Sequence, residues 1–208
     1  MYKTETITGS IPVAEYIGHY RDTSRFIACC KTCGNYGNVW SCPPYSSDPL
    51  GDVSRFGTAH IVAVKVIPDD TVRHKPHDAE SMAEISMSLL AEVRRDFDSH
   101  LLDMERNHSD NLAFMPGSCI ICGRGKCARR SGMPCLHPEK VRPSPEACGF
   151  DVNRTASALL AIPLHWREGN LLPASFLPLG AAFPKTHTGP PLPHSPIAFS
   201  RRPAEQPP

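Results

Sequence analysis

The longest apolar run in the chain is Ile61-Val62-Ala63-Val64-Lys65-Val66-Ile67, mostly β-branched and interrupted only by Lys65. A run of this kind predicts a strand covered on both faces, and Pro68-Asp69-Asp70 ends it. From Asp78, a good helix cap, Met82, Ile85, Leu89, Val93, Phe97, Leu101 and Met104 recur at steps of three or four. That period predicts a long amphipathic helix with one face on the sheet. A polar turn at 107 to 111 then leads into Leu112-Ala113-Phe114-Met115, a short second strand running into Pro116-Gly117. Strand, helix and strand make a crossover unit. Further helices are expected from Val13 to Tyr20 and after Ser144, where Pro145 suits the first turn. The expected fold class is α/β or α+β, a small sheet with a crossover helix and cysteine-rich loops.

Composition divides the chain. Residues 1 to 152 hold 17 basic and 19 acidic side chains, whereas 153 to 208 hold five and two. From Pro163 onward 11 of 46 residues are Pro, and no period of 3.6 or 2 lasts beyond one turn. Each Pro removes a backbone donor and restricts its predecessor, so 163 to 208 is expected to be mostly disordered and to contact the rest little. Leu159, Leu160 and Ile162 are expected to extend the helix begun near Ser144 and cover part of the core. The domain reading is therefore a cysteine-rich domain over 1–152 and a Pro-rich tail over 153–208.

At 208 residues the chain is too short for two large domains, and its net charge of +1 supplies no overall field for nucleic acid or an anionic membrane. No stretch approaches the roughly 18 apolar residues of a membrane span. Met1-Tyr2-Lys3-Thr4-Glu5-Thr6 lacks the basic start and apolar run of a secretory signal. A cytoplasmic, reducing location is expected, where grouped cysteines serve as metal ligands or redox thiols rather than disulfides.

Nine cysteines carry the chemistry. Cys30 and Cys33 form a C-x2-C, with Cys42 nine positions on and Gly34 and Gly37 between. Cys119 and Cys122 form a second C-x2-C, followed by Cys127, Cys135 and Cys148. Two such pairs, each in a Gly-bearing turn with a further thiol downstream, point to metal. A thioredoxin-type site would need one pair only. Cys29 and Cys148 are the expected bystanders, Cys29 because adjacent residues on an extended chain point to opposite faces. Zinc and iron–sulfur clusters both accept four thiolates. Zinc on the two C-x2-C pairs would leave Cys42, Cys127 and Cys135 unused, so the sulfur count favours a cluster. The Cys119-x2-Cys122-x4-Cys127 run and Cys42-Pro43 resemble ferredoxin motifs without reproducing either standard spacing.

Longer segments resemble a known family. Cys30-x2-Cys33-x2-Tyr36-x3-Trp40-x-Cys42-Pro43-Pro44, and Gly117-Ser118-Cys119-x2-Cys122-x4-Cys127-x7-Cys135-x-His137-Pro138-Glu139, are similar to the motifs of domain of unknown function 2284. Arg142-Pro143-Ser144 and Glu146-Ala147-x-Gly149-x-Asp151-Val152 extend the likeness, which covers about 1 to 152. The resemblance implies a cytoplasmic metal-binding protein of no established reaction, holding an iron–sulfur centre such as 4Fe-4S. It implies Cys30, Cys33, Cys42, Cys119, Cys122, Cys127 and Cys135 as the ligand set for metal and cofactor. The chain departs from the pattern at Leu136, where Arg is usual, and at Cys148, where an aromatic residue is usual. Family members continue with a helix and strands that complete the sheet; here the pattern dissolves within about ten residues of Val152, and an out-of-frame tail is one reading of that break.

The remaining signals are weaker. Arg124, Lys126, Arg129, Arg130, Lys140 and Arg142 surround the second cysteine group and read as a solvated cationic rim rather than a nucleic-acid surface. His137 is a candidate substitute ligand or donor to a ligand, and Tyr36 and Trp40 read as apolar cover. Gly123-Arg124-Gly125-Lys126 fails the phosphate-loop spacing, and Ala128 stands where a dinucleotide fingerprint needs its third Gly. Three classes follow: an iron–sulfur protein with an electron-transfer or accessory role beside a redox or enzyme partner, a zinc-stabilised binding module that takes nucleic acid, or an enzyme with an open metal position.

Overall fold

The computed structural model describes residues 2–106, 111–165 and 169–184. The apolar run after Thr58 forms β2 (Thr58–Pro68), whose residues Ile61 to Val64 are all buried. An N-terminal strand, β1 (Tyr2–Pro12), pairs with it antiparallel along its whole length, from Tyr2 opposite Pro68 to Pro12 opposite Thr58. The hydrophobic pattern gave no sign of β1, because Lys3-Thr4-Glu5-Thr6 alternates polar with polar and only Ile7 and Ile11 are large aliphatics. As an edge strand it needs only one apolar face.

Pro12 leads directly into α1 (Val13–Tyr20), at the bounds expected, and it buries Val13 and Tyr16. A helix not anticipated, α2 (Thr23–Lys31), follows. Asp22 caps it by accepting from the Arg25 amide at 3.0 Å, and none of its residues is fully buried, so its amphipathic signal is weak. After β2 come the single turn α3 (Asp70–Arg73) and the 28-residue α4 (Ala79–Arg106). Asp78 caps α4 through the Ser81 amide at 2.7 Å. Met82, Val93, Phe97 and Leu101 lie buried on its inner face, while Ile85, Leu89 and Met104 are only half-buried. Strand β3 (Leu112–Phe114) follows, and the polar turn expected before it falls on residues 107–110, outside those described.

The largest departure from expectation is β4 (Leu179–Phe183). It pairs antiparallel with both β2 and β3, giving the order β1-β2-β4-β3, so that β2 and β3 run parallel with β4 between them. The disorder expected from 163 onward therefore does not hold over 169–184. Pro173, Pro178 and Pro184 flank the strand and leave its own five residues free to pair. All five are buried, and a strand covered on both faces shows no alternation to read. Pairing begins before the strand proper, where Val66 and Phe176 exchange amide–carbonyl bonds at 2.8 and 2.9 Å. The contribution of β4 joins part of the expected tail to the sheet of the expected first domain.

The sheet divides the core into two layers. On one face Val62, Val64 and Val66 pack against Val93, Phe97 and Leu101 of α4. On the other, Ile11, Ile61 and Ala63 meet Tyr16 of α1 and Phe150. Tyr16 stacks on Phe150 at 4.5 Å between ring centroids, and its hydroxyl hydrogen-bonds Thr155 Oγ1 at 3.1 Å. The helix expected after Ser144 is reduced to one 3-10 turn, Glu146–Cys148, because Gly149 turns left-handed at φ 91. A short helical turn, Val152–Arg154, then runs into a π-helical stretch, Thr155–Leu159, and Leu160 and Ile162 do cover the core.

Gly180 is where β4 is tightest. A Cβ there would lie 2.5 Å from Leu101 Cδ1 and 2.7 Å from the Phe114 carbonyl oxygen, and the second contact is backbone that cannot swing aside. Gly180→Ala is expected to destabilise the protein by about 1–3 kcal/mol, the usual cost of overpacking, measured as a lowered denaturant midpoint. An unchanged midpoint would show that β4 is not seated in this slot.

Candidate metal centre

The first cysteine group begins at the C-terminus of α2. Cys29 and Cys30 are helical, not extended, so the opposite-face argument for Cys29 does not apply; even so Cys29 is exposed and Cys30 half-buried. The Cys33 amide donates to the Cys30 carbonyl at 2.9 Å, closing the C-x2-C turn. Position 149 fixes where α2 lies: Gly149 accepts from the Asp22 amide at 2.8 Å, and a Cβ there would meet Thr23 Cα at 2.7 Å. Cys30, Cys33 and Cys42 are near enough to act on one another electrostatically. Burial pushes the Cys42 thiol up to about 11, with smaller contributions from Cys33 and Cys30, and burial raises Cys30 as well.

The second group lies on the loop after β3. Met115 donates its amide to the Pro143 carbonyl at 2.9 Å, and the chain turns at Gly117 into Cys119. Burial raises the Cys119 thiol, opposed by a hydrogen bond from the Ile121 amide to its sulfur and by the Arg94 charge, while Cys122 and Cys135 raise it further. The Cys135 sulfur accepts from the His137 amide at 3.4 Å. His137 thus supplies a backbone donor to a candidate ligand. Cys119, Cys122, Cys127 and Cys135 all line one cavity of about 750 Å³, to which Asn35 and Trp40 of the first loop also contribute.

Polar contacts, several of them part-buried, tie the two loops together. The Cys119 amide donates to Ser41 Oγ at 2.8 Å, and Ser41, 2% exposed, is the residue before Cys42. Asn35 Nδ2 donates to Ser118 Oγ at 3.1 Å, beside Cys119. Arg129 spans the gap from the other side, donating to the carbonyls of Val39, Cys42 and Pro44, with its guanidinium 5.0 Å from the Trp40 ring centroid. The indole Nε1 of Trp40 donates to the Met133 carbonyl at 3.1 Å. Each set of sulfurs is therefore held next to the other loop, as the crossover unit implied. Arg129 belongs to this clasp rather than to a solvated rim, and Arg142 is paired with Glu105.

Sequence reading missed Arg94, which sits in the apolar phase of α4 one turn before Phe97. Only 8% exposed, it pairs with Asp98 at 3.0 Å and donates to the Ser118 carbonyl at 2.7 Å, anchoring the second loop to the helix. The visible signal is an Arg and an Asp four apart on a buried helix face. Cys148, one of the two expected bystanders, is 1% exposed within the core, where burial pushes its thiol far up.

A metal would find a suitable donor set: soft thiols in two adjacent groups, two of which already receive N–H bonds, with arginines nearby. Among the described residues no three or more His, Cys, Asp or Glu side chains already stand at metal-holding separation, so ligation would draw sulfurs inward. A family model with the description "Predicted metal-binding protein (DUF2284)" matches residues 18–174, well over half of the chain. The chain belongs to that family. The match runs past Val152, where the motif pattern was expected to dissolve. No curated protein and no solved structure matches. Among the described residues no helix is long and apolar enough to cross a membrane.

The clasp gives a test of loop coupling. Arg129→Lys keeps the charge but cannot reproduce a guanidinium fork on three carbonyls. It is expected to cost about 1–3 kcal/mol of stability and to weaken metal retention about tenfold, read by thermal melting and by metal analysis after chelator challenge. Retention equal to wild type would show that the loops hold metal independently of their connection.

Proposed function

We propose that this protein carries iron–sulfur chemistry on ligands drawn, four to a centre, from Cys30, Cys33, Cys42, Cys119, Cys122, Cys127 and Cys135, and exchanges electrons with a protein partner. The observation that carries the reading is a cavity lined by four thiols, Cys119, Cys122, Cys127 and Cys135, with the His137 amide donating to the Cys135 sulfur at 3.4 Å. Amide donors stabilise negative sulfur and thereby tune a thiolate-bound centre. Such a centre supplies one-electron transfer when bound. The chain's own residues hold the thiols in two sets, lock the sets together through Ser41 and Arg129, and place the Arg94 and Arg129 charges beside them.

The partner role is supported by the surface. Among the described residues the exposed large apolar side chains are Trp40, Met87, Ile121, Met133 and Leu136. All five belong to the cysteine loops or to the rim of the same cavity, and exposed Lys126 and Arg130 flank them. Apolar surface collected at one place marks a contact site. This favours a redox or enzyme partner over nucleic acid, whose binding would call for a broader basic face. A reducing, cytoplasmic setting suits nine unpaired thiols.

The deciding measurement is anaerobic purification with iron, sulfide and zinc analysis. Iron with matching sulfide, and absorption near about 400 nm that dithionite bleaches, is the expected result. Stoichiometric zinc in a colourless protein would replace this reading with the zinc-stabilised module. Individual thiols should respond unequally: Cys33→Ser and Cys122→Ser are expected to lose metal, because binding free energy is partly folding free energy. Cys148→Ala should retain it, and metal loss from that variant equal to Cys122→Ser would reassign the ligands.

A further inference from the structure

Seven ligands taken four to a centre make one full set and a remainder of three. The structure shows where the division falls. Cys119, Cys122, Cys127 and Cys135 all line one cavity, and Cys29, Cys30, Cys33 and Cys42 form no part of its wall, although Gly34, Asn35, Val39 and Trp40 of the first loop do. The second loop therefore gathers a set of four thiols by itself.

A separate chain of main-chain bonds gathers the thiols of the first loop. The Thr32 amide donates to the Cys29 carbonyl at 3.2 Å and the Cys33 amide to the Cys30 carbonyl at 2.9 Å, which ends α2 with Cys29 and Cys30 in its last turn. The Tyr36 amide then donates to the Cys33 carbonyl at 3.0 Å. The next residue, Gly37, donates to the Pro43 carbonyl at 2.8 Å, which folds Cys42 back towards the end of the helix. Cys29 belongs in this group by position: it is exposed and lies close enough to act electrostatically on Cys30, as Cys33 does. Successive residues on a helix project about 100° apart. That separation suits a cluster, in which each thiolate takes its own iron. Cys148, packed in the core, could join only by unpacking it. Each group also has its own guanidinium, Arg129 on the Cys42 carbonyl and Arg94 on the Ser118 carbonyl beside Cys119.

We propose that the thiols form two separate centres, one on Cys29, Cys30, Cys33 and Cys42 and the other on Cys119, Cys122, Cys127 and Cys135, with Cys148 outside both. The bond from the Cys119 amide to Ser41 Oγ, one residue before Cys42, makes the two centres neighbours. The identity of the metal rests on the function proposed above; the division of the thiols does not.

The test uses the full-length protein purified anaerobically, with iron, zinc and sulfide measured on the same samples. About eight iron and eight sulfide per chain are expected. Cys29→Ala and Cys127→Ala should each lose half of the metal, and the double variant nearly all of it. Alkylation with iodoacetamide, mapped by mass spectrometry, should reach Cys30, Cys33 and Cys42 in Cys29→Ala while the second set stays protected, and the reverse in Cys127→Ala. If either variant does not fold, stepwise chelation of the wild type followed by native mass spectrometry should show a half-loaded species. Full metal in Cys29→Ala, complete loss in either folded single variant, or passage from loaded to empty without a half-loaded species would overturn the division and leave the iron–sulfur reading standing. Two zinc ions per chain with the same two protection patterns would reject the iron–sulfur reading and keep the division.

Discussion

Strand β4 hydrogen-bonds on both of its edges, and the other relations within the molecule depend on that double pairing. Without it β2 and β3 share no ladder, and the loop that leaves β3 for Cys119 has no fixed position against the elements around β2. The pairing is possible only because position 180 has no side chain where Leu101 and the Phe114 carbonyl close in. The bare position at Gly180 thus lets α4 approach the sheet, and α4 in turn presents Arg94 to the Ser118 carbonyl. A packing constraint in the middle of the sheet is transmitted to the site in two steps.

Electrostatic demands shape the site itself. Burial raises Cys30, Cys42 and Cys119, which favours neutral thiols until something positive arrives. The structure opposes this at Cys42 with Arg129 and at Cys119 with Arg94 and the Ile121 amide. The clasp of Ser41 and Arg129 carries a related logic. Both bond to main-chain groups of the loop residues and so fix backbone, and the Ser41 hydroxyl also lies within hydrogen-bond distance of the Cys42 sulfur at 3.8 Å.

The cavity beside the second cysteine group draws its walls from several elements: the cysteine loops, α4 and the entry to β4. Three of the exposed large apolar side chains, Trp40, Met87 and Ile121, are among its lining residues.

Local pattern in the sequence determined β2, α4 and β3, because each carries its own apolar repeat or run and a cap or Pro that bounds it. Motif spacing determined the two cysteine groups, and the family resemblance extended to the right class. What needed the tertiary structure were the elements whose stability is not local. The apolar face of β1 is thin because an edge strand has one neighbour to satisfy, and α2 buries nothing completely. β4 is a Pro-flanked stretch of small residues that acquires meaning only between two other strands. The same holds for the site: Ser41, Arg94 and Arg129 act through partners between 24 and 90 residues away, and no spacing along one chain encodes such contacts.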